Sequence, residues 1–388
     1  MEKFIEEGKR YLIQNYARYP VSFVKGEGVY LYDTEGKRYI DMLAGIAVNT
    51  LGYNHPLLTE ALCNQIKDVI HVSNLFYIQP QIDVAKILVE NSCLDRVFFC
   101  NSGAEANETA IKLVRKYFYD KGKPEKFEIV TFTGGFHGRT IGSLTATAQP
   151  KYHEGFKPLL QGIRYAEFNN VESLKSAVNE NTAAVMFEFI QGEGGINPID
   201  RDFLSEIVKI SREYDLLIVV DEVQTGIGRT GKLFAYQHYD ICPDIVTLAK
   251  GLGGGVPIGA VLAKEEVAEV FTPGTHGSTF GGNYISTTAA KVVLNEVLKD
   301  GFLEDVEKKG EFLIEELRNI GLKPRGKGLM VGCPLPEDIK AGDIAKKALD
   351  EGLIIGTAGG NTLRFVPPLI IQKEQIQEAV NILKKVVV

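Results

Sequence analysis

Five short apolar runs recur along the middle of the chain: RVFFC (96–100), FEIVTF (127–132), AAVMFEF (183–189), LLIVV (216–220) and DIVTLA (244–249). Stretches with helical periodicity separate several of them, among them AEANETAIKLVRKYF (104–118) and RDFLSEIVKISREY (201–214). Strands that alternate with helices imply βαβ units and a mostly parallel sheet covered on both faces, an α/β fold. Each run also ends in polar or glycine-rich sequence. RVFFC runs into Asn101-Ser102-Gly103, FEIVTF into Gly134-Gly135-Phe136-His137, AAVMF into Glu188, LLIVV into Asp221-Glu222 and DIVTLA into Lys250. Ligands of open parallel sheets bind outside the carboxyl ends of the strands, so this pattern predicts a site at one sheet edge.

The flanking sequence has a different texture. Residues 3–16 read as a short amphipathic helix, and GVYLYDTEGKRYIDM (28–42) reads as a hairpin turning at D-T-E-G. Beyond residue 283 long amphipathic helices dominate, ending in KEQIQEAVNILKKVVV (373–388). The expected organisation is an N-terminal segment (1–51) that packs with a smaller α+β C-terminal domain (283–388), around a large domain (52–282). A net charge of −7 on 388 residues argues against a broad basic surface for nucleic acid or anionic lipid. No apolar run approaches the roughly 20 residues of a membrane span. The opening MEKFIEEGKRYLIQNY has neither an h-region nor an Arg-rich transit pattern. Five cysteines (Cys63, Cys93, Cys100, Cys242, Cys333) with no C-x-x-C predict free, largely buried thiols in a reducing cytoplasm.

Lys250 allows two readings. It is either a solvated strand cap or a desolvated amine of lowered pKa able to act as a nucleophile. Ser102-Gly103-Ala104-Glu105 fits the capping pattern S-x-x-E, and at a strand end such a helix start can hold a phosphate on its backbone N–H groups. GIGRTG (226–231) has the form of a dinucleotide fingerprint, but it opens no helical pattern. The overlapping G-x-x-x-x-G-K has Leu233 where a magnesium-binding Ser or Thr is required. The six histidines show no metal-ligand spacing, no metal is expected, and only His137 stands at a strand end. No G-x-S-x-G nucleophile elbow ends a strand.

A lysine, an aspartate and an anion-binding helix start at one edge suit pyridoxal 5'-phosphate, which needs an amine, a carboxylate for its ring nitrogen and a phosphate cradle. LLIVVDEVQTGIGRTGKLFAYQHYDICPDIVTLAKGLGGGVPIGA (216–260) closely resembles the signature region of class III aminotransferases, of fold type I. FVKGEGVYLYDTEGKRYIDMLAGIAVNTLGYNHP, NSGAEANETAIKLVR, FHGRT, IQGEGGINP, THGSTFGGN and LRFVPPL extend the likeness along nearly the whole chain. The resemblance implies a large domain with a mostly parallel seven-stranded sheet, a smaller α+β domain, and a homodimer with shared active sites.

The resemblance also implies residue roles. Lys250 would be the Schiff-base lysine and proton carrier, and Asp221 the partner of the ring nitrogen. Ser102, Gly103 and Ala104 would cradle the phosphate, and Phe136 and Val223 would cover the two ring faces. Gln224 would bond the ring hydroxyl, with Glu222 beside it. Ser278 and Thr279 would reach the neighbouring subunit's site, Thr279 touching its phosphate. Arg139 and Arg364 would grip substrate carboxylates, with Glu188 neutralising Arg364 when the donor presents its terminal amine. GIAVNTLG and RGKGLMVG favour N2-acetyl-L-ornithine as donor and 2-oxoglutarate as acceptor, giving glutamate in a step of arginine biosynthesis. Ornithine, 4-aminobutyrate and succinyl-diaminopimelate remain alternative donors for the same core, and an inactive cofactor-binding protein is the non-enzymatic alternative. Phe189, Tyr53 and Tyr284 depart from the residues usual in the family at those positions.

Overall fold

The computed structural model describes residues 2–387. Its centre is a seven-stranded sheet: β1 (Arg96–Cys100), β2 (Glu128–Phe132), β3 (Ile163–Ala166), β4 (Thr182–Phe187), β5 (Leu217–Asp221), β6 (Ile245–Leu248) and β7 (Gly259–Ala263), in the order β1-β7-β6-β5-β4-β2-β3. Strands β3, β2, β4, β5 and β6 pair in parallel, while β7 runs antiparallel to both β6 and β1. All five apolar runs of the sequence are strands. The two further strands carry weaker signals: IRYA (β3) is a half-exposed edge with an Arg and a Tyr, and GAVLA (β7) is short and alanine-rich.

The runs are continuous rather than alternating because both faces of the sheet are buried. Val130, Val185, Phe187, Val220, Val246 and Leu262 enter one core, whereas Ile129, Ala184, Met186, Val219, Ile245 and Val261 enter the core on the opposite face. The helix Gly103–Asp120 supplies Ala106, Ala110, Ile111 and Val114 to the second of these.

A third core draws on both ends of the chain, joining Val29, Ile40 and Met42 to Leu313, Val331, Phe365, Ile376 and Leu383. The expected hairpin forms from Tyr30–Asp33 and Arg38–Asp41, and the Asp33 carboxylate accepts the Glu35 and Lys37 N–H groups at 2.9 Å across its turn. Leu353–Ile354 adds in parallel to Arg38–Asp41, which bonds the two ends into one sheet. The N-terminal helix is shorter than its periodicity suggests, Glu2–Tyr11. The helix Tyr284–Val297, just past residue 283, gives Ala290, Val293, Leu294 and Val297 to the large-sheet core. The segment holding GIGRTG runs through turns into a short 3-10 helix, Ala235–His238, and its Arg229 turns inward to donate to the carbonyl of Leu329 at 2.9 Å and to that of Pro367. Among the described residues no helix is long and apolar enough to cross a membrane.

The cysteines differ from the expectation of five free, largely buried thiols. Cys93 and Cys242 form a disulfide across 149 residues of sequence, tying the segment before β1 to the segment before β6, and Cys63 is exposed. Only Cys100 and Cys333 are buried free thiols. Wide spacing hides such a pair, because the fold alone brings β1 and β6 to either side of β7. Replacing Cys242 with serine is expected to lower stability by about 2–4 kcal/mol, the usual contribution of a cross-link closing a long loop. Denaturant unfolding with and without reductant checks this, because the gap to the parent protein should close once both are reduced.

Candidate active site

The carboxyl ends of β1, β2, β4, β5 and β6 converge on a cavity of about 400 Å³. Ser102, Gly103, Ala104, Phe136, Arg139, Glu188, Asp221, Val223, Gln224 and Lys250 all line it, so most of the residues singled out in the sequence meet in one place.

Ser102 starts the helix Gly103–Asp120: its Oγ accepts the Glu105 N–H at 3.2 Å. Glu105 reaches back one residue further than in a capping box, its Oε2 accepting the Asn101 N–H at 2.7 Å. Gly103 and Ala104 therefore sit where backbone N–H groups lack intrahelical partners and the helix dipole is positive. A Cβ on Gly103 would fall 2.8 Å from Val223 Cγ1, so glycine here lets the helix start press against the loop after β5.

Asp221 ends β5 and is 3% exposed. Its Oδ1 accepts the Val223 N–H at 2.9 Å, and its Oδ2 faces His137 Nδ1 at 2.7 Å. That contact raises the His137 pKa, although burial of the imidazole acts the other way. Glu188 lies just past β4, its carboxylate accepting the N–H of Phe136 at 3.1 Å and of Gly192 at 3.2 Å. Burial pushes the Glu188 carboxyl up to about 7; nearby Asp221 adds to the rise and His137 opposes it. Gln224 is buried, and its Oε1 has no hydrogen-bond partner. A buried acceptor left open at a cavity wall calls for a donor from a ligand.

Lys250 follows β6 in a left-handed conformation, φ +43°, opening the turn Lys250–Gly253. The glycines beyond it let that turn fold back into β7. Gly254 has φ +57°, and a Cβ there would lie 2.8 Å from Val293. Enclosure by protein pushes the Lys250 amine down to about 8; the Glu193 carboxylate acts against that fall and the Arg364 guanidinium with it. Lys250 is thus the desolvated amine rather than the solvated cap.

Two expected placements differ. Glu188 does not meet Arg364. The buried Arg364, on the strand Thr362–Phe365, instead forms an ion pair through Nη1 with Glu193 Oε1, while its Nε is left without a partner. Glu188 is occupied by the backbone of Phe136 and Gly192, which Glu193, just beyond that turn, is not. Glu222 is not a cavity residue: its buried carboxylate accepts the N–H groups of Ala235 at 2.6 Å and Tyr236 at 2.9 Å. Ser278 and Thr279, expected at a neighbouring subunit's site, lie outside this chain's own cavity lining. Ser278 Oγ accepts from Asn101 Nδ2 at 3.2 Å, and Thr279 is exposed. Arg139 is exposed, stacked 3.9 Å over the ring of Tyr152.

Glu193 and Asn107, which donates to Asp221 Oδ2 at 2.8 Å, are the site residues that the sequence reading passes over. Their signals are an acid between glycines in IQGEGGINP and an Asn on the apolar face of its helix.

These residues fit pyridoxal phosphate: a free amine of lowered pKa, a buried carboxylate, a helix start for an anion, and an open acceptor at Gln224. In the cofactor-free protein Lys250 should be acylated near pH 8, ahead of surface lysines that titrate near 10.4. Glu193→Gln, which removes a charge favouring the ammonium, should move its titration lower still. A pH–rate profile of labelling, read by peptide mass spectrometry, checks both; an inflection above pH 10 would contradict the burial.

The family model of the class III aminotransferases matches residues 11–387. The acetylornithine aminotransferase of Caldanaerobacter subterraneus is 54% identical over 97% of each chain, and that of Methanocaldococcus jannaschii is 47% identical over 99% of this chain and 98% of its own. Among solved structures, N-acetylornithine aminotransferase from Stenotrophomonas maltophilia superposes with a TM-score of 0.85 at 39% identity, covering 99% of this chain and 98% of its own. Ornithine aminotransferase from Toxoplasma gondii, described with pyridoxal phosphate at its active site, gives 0.94 at 32% identity, with 99% and 93% covered. With Lys250, Asp221 and the helix start at Ser102 in one cavity and a family match over nearly its full length, the chain belongs to the class III aminotransferases.

Proposed function

We propose that this enzyme transfers the terminal amino group of N2-acetyl-L-ornithine to 2-oxoglutarate, giving N-acetyl-glutamate 5-semialdehyde and glutamate, as in arginine biosynthesis. The observation that carries the reaction is the meeting of the lowered-pKa amine of Lys250, the Asp221 carboxylate and the Ser102 helix start in one cavity. The donor is supported by full-length relatives described as acetylornithine aminotransferases at 43–54% identity.

Bound in the cavity, pyridoxal phosphate supplies an aldehyde for amines and a ring that accepts the electron pair left when the donor carbon loses its proton. Lys250 Nζ, about half deprotonated near pH 8, would hold the cofactor through its aldehyde and would take and return that proton. Asp221 would accept the ring N–H, and its negative charge would keep that nitrogen protonated. Ser102, Gly103 and Ala104 would hold the phosphate, Phe136 and Val223 the ring faces, and Gln224 Oε1 the ring hydroxyl.

Substrate carboxylates fall to the two arginines. Arg364 would take the α-carboxylate of glutamate or 2-oxoglutarate through its open Nε and the Nη that Glu193 now engages. Glu193 would hold Arg364 neutralised while the terminal amine of the donor is in place. Arg139 would take the donor's carboxylate.

We infer a homodimer as well. Asn74 Nδ2 donates to the carbonyls of Ser278 and Gly281, joining an outward-facing patch in which Phe280 is 59% and Tyr77 93% exposed. Apolar exposure of that size beside the cavity suits a second copy, with Ser278 and Thr279 reaching its site. A cytoplasmic location belongs to the same proposal.

The visible spectrum of the purified protein tests the reading. Adding N-acetylornithine without a keto acid should bleach the band of the bound cofactor, and 2-oxoglutarate should restore it. Bleaching by ornithine or 4-aminobutyrate alone would overturn the donor, and failure to bind pyridoxal phosphate would overturn the enzyme. Lys250→Ala should bind the cofactor yet lose turnover by several orders of magnitude. Glu193→Gln should tighten binding of 2-oxoglutarate roughly tenfold by freeing Arg364, measured as a fall in its KM.

A further inference from the structure

Asp221 is held from more than its own strand. Asn107, one turn into the helix Gly103–Asp120 and 1% exposed, donates one amide hydrogen to Asp221 Oδ2 at 2.8 Å and the other to the carbonyl of His137 at 2.7 Å. Its Oδ1 accepts from Thr247 Oγ1 at 2.8 Å, a fully buried hydroxyl on β6. All of its polar atoms are engaged. Flipping the amide would set its oxygen against both a carboxylate and a carbonyl, so the network fixes its orientation. Around it the helix face is apolar, with Ala106, Ala110, Ile111 and Val114 all buried. An amide in such a place is costly unless it is fully bonded, and packing alone would favour leucine.

The position of this amide is informative. Its helix begins with the phosphate-cradle residues, its carboxylate partner ends β5, and its hydroxyl partner precedes Lys250 by three residues on β6. One side chain therefore ties together the segments that carry three separate cofactor contacts.

We propose that Asn107, backed by Thr247, is a positioning residue that aims the Asp221 carboxylate at the cofactor ring. This rests on the reading of Asp221 as partner of the ring nitrogen. Three hydrogen bonds occupy the carboxylate, from Val223 N, His137 Nδ1 and Asn107 Nδ2, which leaves roughly one of its four acceptor directions open. Without the amide, Asp221 keeps its backbone donor and His137, but the direction of the open lone pair is no longer fixed from the helix side. Asn107 is uncharged and donates at any pH.

The test is a double-mutant cycle on cofactor affinity, measured by titrating pyridoxal phosphate into cofactor-free protein, with thermal unfolding of each variant as a check on folding. Asn107→Leu should weaken binding roughly tenfold in the parent, as expected for a charge-assisted buried hydrogen bond, and less than twofold in an Asp221→Ala background. Thr247→Val should weaken it in the same direction by less, and Thr247→Ser, which keeps the hydroxyl, should restore it. Equal losses with and without Asp221, or no loss at all, would overturn the inference and leave Asn107 a packing residue. If Asn107→Leu does not fold, the Thr247→Val and Thr247→Ser pair decides by the same comparison. Asp221→Ala with parental affinity would overturn the reading of Asp221 itself, and this inference with it.

Discussion

The architecture depends on the burial of parallel strands on both faces. Ala184, Val185, Met186 and Phe187 on β4 are each 1% exposed or less, so neither face of that strand can hold a polar side chain without a partner. Chemistry is displaced to the first residues beyond each strand, and because the neighbouring strands run the same way, those residues gather at one edge. Thr247 on β6 is a buried hydroxyl inside the sheet whose hydrogen bond Asn107 accepts, whereas the buried hydroxyl of Thr131 on β2 has no partner.

At that edge the charges are interdependent. Lys250 loses its hydration and gives up its proton more readily, but Glu193, Asp221 and Glu188 all favour the ammonium, which limits the fall. Glu193 is at once a neighbour of the lysine and the partner of Arg364, so a change in its position alters both the amine and the guanidinium. Asp221 adds to the cost of ionising the buried Glu188, which His137 relieves, and both acids favour the imidazolium of His137. A ligand carboxylate arriving at Arg364 thus enters an already coupled set of groups.

Much of this was legible in the sequence because it followed from local rules. Strand runs, the helix start at Ser102 and the emergence of Lys250, Asp221 and Glu188 beyond strands are properties of a few consecutive residues. What was not legible depended on contacts between distant segments. Nothing in IQGEGGINP says which of Glu188 and Glu193 faces Arg364; that follows from how the turn at Gly192 uses Glu188 as an acceptor. Glu222 adjoins Asp221 in sequence, but on the following turn it points the other way, to the N–H groups of Ala235 and Tyr236. The Cys93–Cys242 pair likewise exists only once β1 and β6 are placed about β7. The edge strand β3 escaped because partial exposure blurs its pattern.

The reversal of β7 has an electrostatic consequence. After β1 the chain enters an eighteen-residue helix at Gly103, whose positive end lies against the cavity. After β6 it does otherwise: a single 3-10 turn, Lys250–Gly253, leads through glycines into the antiparallel neighbour. A crossover helix in that place would have set its own positive pole on the lysine amine. The hairpin keeps the two kinds of positive charge apart, one a fixed dipole suited to an anion, the other a proton that can leave.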